Sequence, residues 1–197
     1  ALITAISGML ATGGSAVVMK KMGEGREQEA RQDFTLLILT NAVVGGVMMV
    51  LGYALMDTLL GTMGLSPAVF GYCHTYLSNY LIFTIPILLM YNFSLYLIAA
   101  DKSTLSLICT VAGGVANIIL DYVLIALFDL GIQGAAIATG LGYSITAVVG
   151  FLVFRKQDSL LHFEKPVFRG GVLFHASTNG MSELATSLVS GITTLLF

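Results

Sequence analysis

Charged side chains divide the sequence into long uncharged stretches. No Asp, Glu, Lys or Arg occurs at 34–56, 58–100, 103–120 or 130–154, and these stretches are 18 to 43 residues long. An α-helix crosses the roughly 30 Å hydrocarbon layer of a bilayer in about 20 residues. The longest stretch is interrupted by Gly64-Leu65-Ser66-Pro67, which is typical of a turn between two helices. The pattern therefore predicts an all-α, polytopic transmembrane helical bundle.

Six helical segments follow from these boundaries. They cover residues 1–19, 34–56, 77–100, 103–127, 133–154 and 176–197. The chain begins and ends within apolar sequence, so we expect it to be part of a longer, transporter-sized protein that is truncated here at both ends. Pro86 lies inside the third segment and is expected to kink it, because proline cannot donate a backbone hydrogen bond.

The basic residues predict which side of the membrane each connector occupies. All nine Lys and Arg residues fall in connectors 20–33, 101–102 and 155–175, which alternation places on one side of the bilayer. Cytoplasmic loops are enriched in Lys and Arg, so these three connectors are predicted to lie on the cytoplasmic side. The protein itself is predicted to lie in the cell membrane, that is, an inner or plasma membrane. Within the last connector, 159–169 mixes apolar and basic residues. It could form an interfacial helix broken near Pro166 or a mobile tether.

Composition narrows the range of functions. Charged residues make up 10% of the chain, against about a quarter in soluble domains, and the mean hydropathy is +0.90. These values exclude a disordered chain, a nucleic-acid binder and an ordinary soluble enzyme. No nucleophile–base pair or cluster of metal ligands stands out in the sequence, so we expect neither an enzyme nor a bound cofactor.

One ionisable residue lies well inside a predicted span. A charged carboxylate near the bilayer centre costs about 2.5–3.5 kcal/mol on insertion scales, so Asp121 should face protein or water. Asn117 precedes it by one helical turn and lies on the same face. Asp121 is six residues from the end of its segment, and Thr139 is about six residues into the next. Both should therefore lie at the same depth, roughly 9 Å from the outer ends of their helices.

These positions predict a set of oxygen ligands. A carboxylate, an amide oxygen, a hydroxyl and a backbone carbonyl near Ala135, one turn from Thr139, suit a hard cation. A desolvated Asp121 could instead carry a proton. The alternative is that these groups only hydrogen-bond neighbouring helices. Small residues at four-residue spacing in the fifth segment should let another helix approach closely, and they are Gly134, Ala138, Gly142 and Thr146.

A second acidic candidate is Glu183, at the start of the last segment. It could cap the helix at its cytoplasmic end or take part in transport.

Several motifs resemble the MATE family of multidrug exporters. Residues 8–30 contain Gly13-Gly14-Ser15-Ala16 and Met22-Gly23-Glu24-Gly25, and they are similar to the family's second helix and the loop after it. The runs 117–121 and 131–139 look like its fifth and sixth helices. The resemblance follows the family order over nearly the whole chain. It implies a fragment covering helices two to six of the N-terminal lobe and the start of helix seven.

The resemblance also implies a domain organisation and a function. It assigns 1–154 to the N-terminal lobe, 155–175 to an inter-lobe linker and 176–197 to the start of a C-terminal lobe that is otherwise missing. Family members are secondary active antiporters that export cationic or amphiphilic, often aromatic, compounds in exchange for Na⁺ or H⁺ by alternating access.

The same resemblance matches the family's N-lobe cation site to four groups, those of Asn117, Asp121, Thr139 and the carbonyl of Ala135. In the family this site also uses an aspartate on helix one, which this chain lacks. Glu183 is near an acidic position of some members. The usual basic residue after helix four is absent at 99–102, which reads Ala-Ala-Asp-Lys.

Two other functions remain open at this stage. A flippase for lipid-linked oligosaccharides belongs to the same superfamily, but such proteins tend to line their cavity with basic residues, which these spans lack. A non-transporting membrane subunit would use the polar residues only to pack its helices.

Overall fold

A computed structural model describes residues 2–196, and their regular secondary structure is helical. Eight α-helices follow in chain order: α1 Leu2–Gly23, α2 Glu27–Thr62, α3 Pro67–Ile82, α4 Thr84–Ala99, α5 Ser103–Asp121, α6 Gly131–Phe154, α7 Gly170–Asn179 and α8 Met181–Leu196. A π-helical turn, Tyr122–Leu127, extends α5.

The first two connectors are shorter than the charge pattern predicts. Helix α2 starts at Glu27 rather than at residue 34, because its charged first turns pair along the helix, as in the Arg31–Glu27 ion pair at 3.0 Å. The next turn is compact because Ser66 caps α3 with its hydroxyl and Pro67 occupies the first helical position. Polar residues at these ends are therefore part of the helices instead of ending them.

The third segment is bent, as expected from Pro86. Helices α3 and α4 meet at Phe83 at an angle of 56°. Pro86 has no N–H to donate to the carbonyl of Ile82, four residues earlier, so the helix breaks there. The expected kink is confirmed.

The last predicted segment differs from the single span of 176–197. It consists of two helices, α7 and α8, which are separated at Gly180. A Cβ at Gly180 would overlap the backbone of Met9 in α1, so only glycine allows this close approach. Within residues 2–196, four helices are long and apolar enough to cross a membrane, or five if the bent pair α3–α4 is one span.

The linker before α7 contains no helix, so the alternative of an interfacial helix is wrong. Residues 155–169 instead pack against the end of the bundle at which α2 begins. Leu161 is fully buried, the ring of Phe163 stacks on Phe34 with centroids 5.4 Å apart, and the Phe163 N–H donates to the Phe154 carbonyl at 2.9 Å. These side-chain and backbone contacts fix the segment to the helices, in contrast to the alternative of a loose tether.

A buried aromatic cluster lies beside this linker. The ring of Phe34 in α2 contacts Tyr96 of α4 edge-on at 4.7 Å and Phe154 of α6 at 5.0 Å. All three side chains are fully buried. Helices α1, α2, α4 and α6 therefore form the centre of the bundle, and α5 packs on the outside of α4 and α6.

Candidate functional site

Helices α5 and α6 approach each other backbone to backbone. A Cβ built on Gly113 would lie 2.8 Å from the carbonyl oxygen of Gly142, and one built on Gly142 would lie 2.8 Å from that of Gly113. Both glycines are buried. The stripe of small residues predicted in α6 is confirmed, since Gly134, Ala138 and Thr146 are buried as well. This contact fixes the spacing of the polar residues on the two facing helices.

Three of the predicted site residues come together at this contact. The amide Nδ2 of Asn117 in α5 faces the hydroxyl of Thr139 in α6 at 3.5 Å, at the upper limit for a hydrogen bond. The Thr139 hydroxyl donates to the carbonyl oxygen of Ala135 at 2.9 Å. An amide, a hydroxyl and a backbone carbonyl are therefore neighbours between the two helices.

Asp121 lies one helical turn beyond Asn117 in α5. Its side chain is half-buried, and its Oδ1 atom is buried without a hydrogen-bond partner among residues 2–196. A buried acceptor without a partner costs about 1–3 kcal/mol, and more when it is charged. Such a group in a membrane span is usually functional. The carboxylate thus has an oxygen available for a cation or a proton.

The π-helical turn begins directly after Asp121. Its wider hydrogen bonds include the one from the Phe128 N–H to the Val123 carbonyl, five residues earlier, at 3.0 Å. Such turns are rare in proteins, and those that do occur are often found at functional sites. The sequence gives no sign of it, because residues 122–127 are as apolar as an ordinary helix interior.

A cavity of about 290 Å³ opens between α4, α5 and α6. Its wall contains Asn117 and Thr139, whereas Asp121 is not part of it. The sequence analysis singled out Thr146 only as a small residue of the stripe in α6, and it missed Tyr143, which lies one turn after Thr139 on the same face. The lining consists of Met90, Thr110, Gly113, Gly114, Asn117, Thr139, Gly142, Tyr143 and Thr146.

Glu183 is not brought to this set. It lies in the first turn of α8, where it is exposed among the described residues, with its side chain against Gly8 of α1. Helix α8 packs on α1, away from the contact of α5 with α6.

The MatE family model matches residues 1–123. Among curated protein sequences none matches the chain significantly.

The fold is similar to solved transporters of this kind. A multidrug resistance MATE family transporter of the MOP superfamily in an inward-facing conformation has a TM-score of 0.87 at 20% identity, over 94% of this chain and 44% of its own. A multidrug resistance MATE family transporter of the MOP superfamily in an outward-facing conformation has a TM-score of 0.89 at 19% identity, and the match covers 98% of this chain and 44% of that structure. The Vibrio cholerae MATE transporter VcmN in the bent form has a TM-score of 0.82 at 24% identity, and the match covers 98% of this chain and 45% of that structure. The chain thus spans less than half the length of these structures.

Proposed function

Since the chain belongs to the MatE family and is a multi-pass membrane protein, we propose that it forms the first lobe of an antiporter. This transporter exports cationic or amphiphilic compounds in exchange for Na⁺ or H⁺ by alternating access. The end of the bundle that carries the basic linker faces the cytoplasm, in line with the enrichment of Lys and Arg in cytoplasmic loops.

The free oxygen of Asp121 is the observation that carries this proposal. A Na⁺ ion would take Asp121 Oδ1 together with oxygens of Asn117, Thr139 and Ala135. Rotation of the Asn117 amide by half a turn would present its oxygen instead of Nδ2. The Thr139 hydroxyl oxygen and the Ala135 carbonyl oxygen each keep a free lone pair while the hydroxyl donates its hydrogen bond to the carbonyl. A proton would use the same carboxylate without the other three groups.

Ion and substrate would be coupled through residues that both contact. Asn117 and Thr139 line the cavity, so drawing them towards an ion at Asp121 changes the wall of the cavity. The π-helical turn next to Asp121 offers a local rearrangement, because a wide turn can tighten into an α-helical one. A cation that crosses the membrane inward, down the membrane potential, releases about 2.3 kcal/mol of free energy per charge per 100 mV.

The cavity chemistry supports a cationic or amphiphilic aromatic substrate. Its wall combines hydroxyl and amide groups with the ring of Tyr143 and the thioether of Met90. Aromatic rings attract cations through their faces, and methionine adapts to irregular apolar shapes. Lys and Arg are absent from 103–154, which gives an oligosaccharide pyrophosphate no partner there.

Reconstitution tests the proposal. The complete transporter in liposomes should move a fluorescent cationic dye against a Na⁺ or proton gradient, and Asp121→Asn should abolish the ion dependence while the protein still folds. Asp129→Asn is the matched control, because Asp129 is exposed just beyond the π-helical turn and should tolerate the change. Unchanged ion-driven transport by Asp121→Asn would reject the site.

A further inference from the structure

The residue directly before α7 is held by an acidic face of α2. Arg169 donates to Asp33 Oδ1 at 3.2 Å, to Glu29 Oε2 at 3.2 Å and to Gln32 Oε1 at 3.1 Å. Its partners lie on consecutive turns of the cytoplasmic part of α2. The guanidinium is therefore fixed in direction as well as in position.

Asp33 is the centre of this cluster. Its side chain is fully buried, and it pairs with Lys21 at the end of α1 as well as with Arg169. Lys21 is itself largely buried and also reaches Glu29 at 3.4 Å. One buried carboxylate thus joins α1, α2 and the last residue of the linker, and removing either cation would leave a buried charge poorly compensated.

Further contacts fix the linker along its length. Arg31 Nε donates to the Leu160 carbonyl at 3.2 Å, and the Thr35 hydroxyl accepts the Glu164 N–H at 3.0 Å. We call residues 155–169 together with Asp33 the latch.

Helix α7 continues this attachment along α1. Gly13 of α1 has no room for a Cβ, which would overlap the carbonyl oxygen of Ala176 in α7. Ala176 and Val172 are buried in the same interface. The contact is therefore between backbones, and sliding of α7 along α1 would require the two helices to separate.

We infer that the latch makes the linker and α7 a mechanical part of the first lobe, although the sequence assigns 176 onwards to the second. In the transport cycle, α7 moves with α1 and α2, and the two lobes change their relative position beyond Asn179. The inference rests on the proposed two-lobe alternating access.

Distances between spin labels test this on the complete transporter. Cys73 and Cys109 are replaced by serine, and labels are attached to cysteines at Gln28 in α2 and Thr178 in α7, which are both exposed. The distance distribution should be narrow and should coincide in the presence and absence of the coupling ion and of a cationic dye. A shift between these conditions would overturn the inference and leave the proposed function intact.

Variants of the latch separate it from incidental packing. Arg169→Gln should broaden the distance distribution and Arg169→Lys should restore much of its sharpness, whereas Lys165→Gln should have no effect, because Lys165 is exposed on the same linker. An equally narrow distribution in Arg169→Gln would contradict the latch. If Arg169→Gln does not fold, the wild-type distance measured with and without the coupling ion and the dye still tests whether α7 moves with the first lobe. A narrow distance in a protein without ion-driven transport would reject the proposed function alone.

Discussion

Placing one methyl group between α5 and α6 tests whether their backbone contact builds the site. In Gly113→Ala the new Cβ would lie 2.8 Å from the Gly142 carbonyl oxygen, whereas ordinary contacts of this kind begin at 3.4 Å. The helices must therefore separate locally by about 0.6 Å. Overpacking of this kind costs about 1–3 kcal/mol.

The neighbouring Gly114→Ala is the matched control. A Cβ there meets nothing within 4 Å, and both substitutions raise helix propensity equally, by about 0.5–1 kcal/mol. The difference between the two variants therefore isolates the steric cost. Equilibrium unfolding of the complete transporter in mixed micelles, titrated with a denaturing detergent, measures it.

The separation should also reach the polar residues. Asn117 lies next to Gly142, with its Cβ 3.2 Å from a Cβ built there, so widening the contact moves the amide away from Thr139. We expect Gly113→Ala to lower the affinity for the coupling ion, and Gly114→Ala to leave it closer to that of the wild type. Equal stability of the two variants would refute the reasoning.

Three further predictions concern other contacts. The buried amides of Asn41 and Asn92, 3.1 Å apart, should show a coupling of about 0.6 kcal/mol in a double-mutant cycle of unfolding, and strict additivity would contradict this. Gly13→Ala should prevent α7 from packing, so the yield of folded transporter in size-exclusion chromatography should fall sharply, whereas a normal yield would argue against the contact. The hydrogen bond from Arg26 lowers the pKa of Glu29, so the stability it gives is present at neutral pH and is lost as the pH falls through that lowered pKa. Arg26→Gln should shift this loss to higher pH in thermal unfolding curves, and an unchanged curve would contradict it.

The sequence predicts the parts of the fold that depend on depth in the membrane. Uncharged stretches locate the central helices, Pro86 locates the kink, and the polar positions inside the spans include Asn117 and Thr139, which face each other between α5 and α6. Counting residues from the helix ends placed Asp121 level with Thr139, whereas the residue that faces Thr139 is Asn117, one turn earlier in α5. These features follow from helix geometry and the cost of charge in lipid, which act on each segment separately.

Features that depend on tertiary packing were missed. The break at Gly180 exists because α1 passes so close, and the linker lies in an irregular conformation because Asp33 and Phe34 hold it. The π-helical turn after Asp121 has no signature in its apolar residues. Each of these requires knowledge of a neighbouring helix that local periodicity does not contain.

Ion binding by the purified complete transporter tests the central claim most directly. Binding of radioactive sodium, and proton uptake or release in a parallel titration, should be compared between the wild type and Asp121→Asn in the absence of substrate. The account predicts that the wild type binds one of the two ions and that Asp121→Asn loses this binding, while Asp129→Asn keeps it. Equal ion binding by the wild type and Asp121→Asn would contradict it.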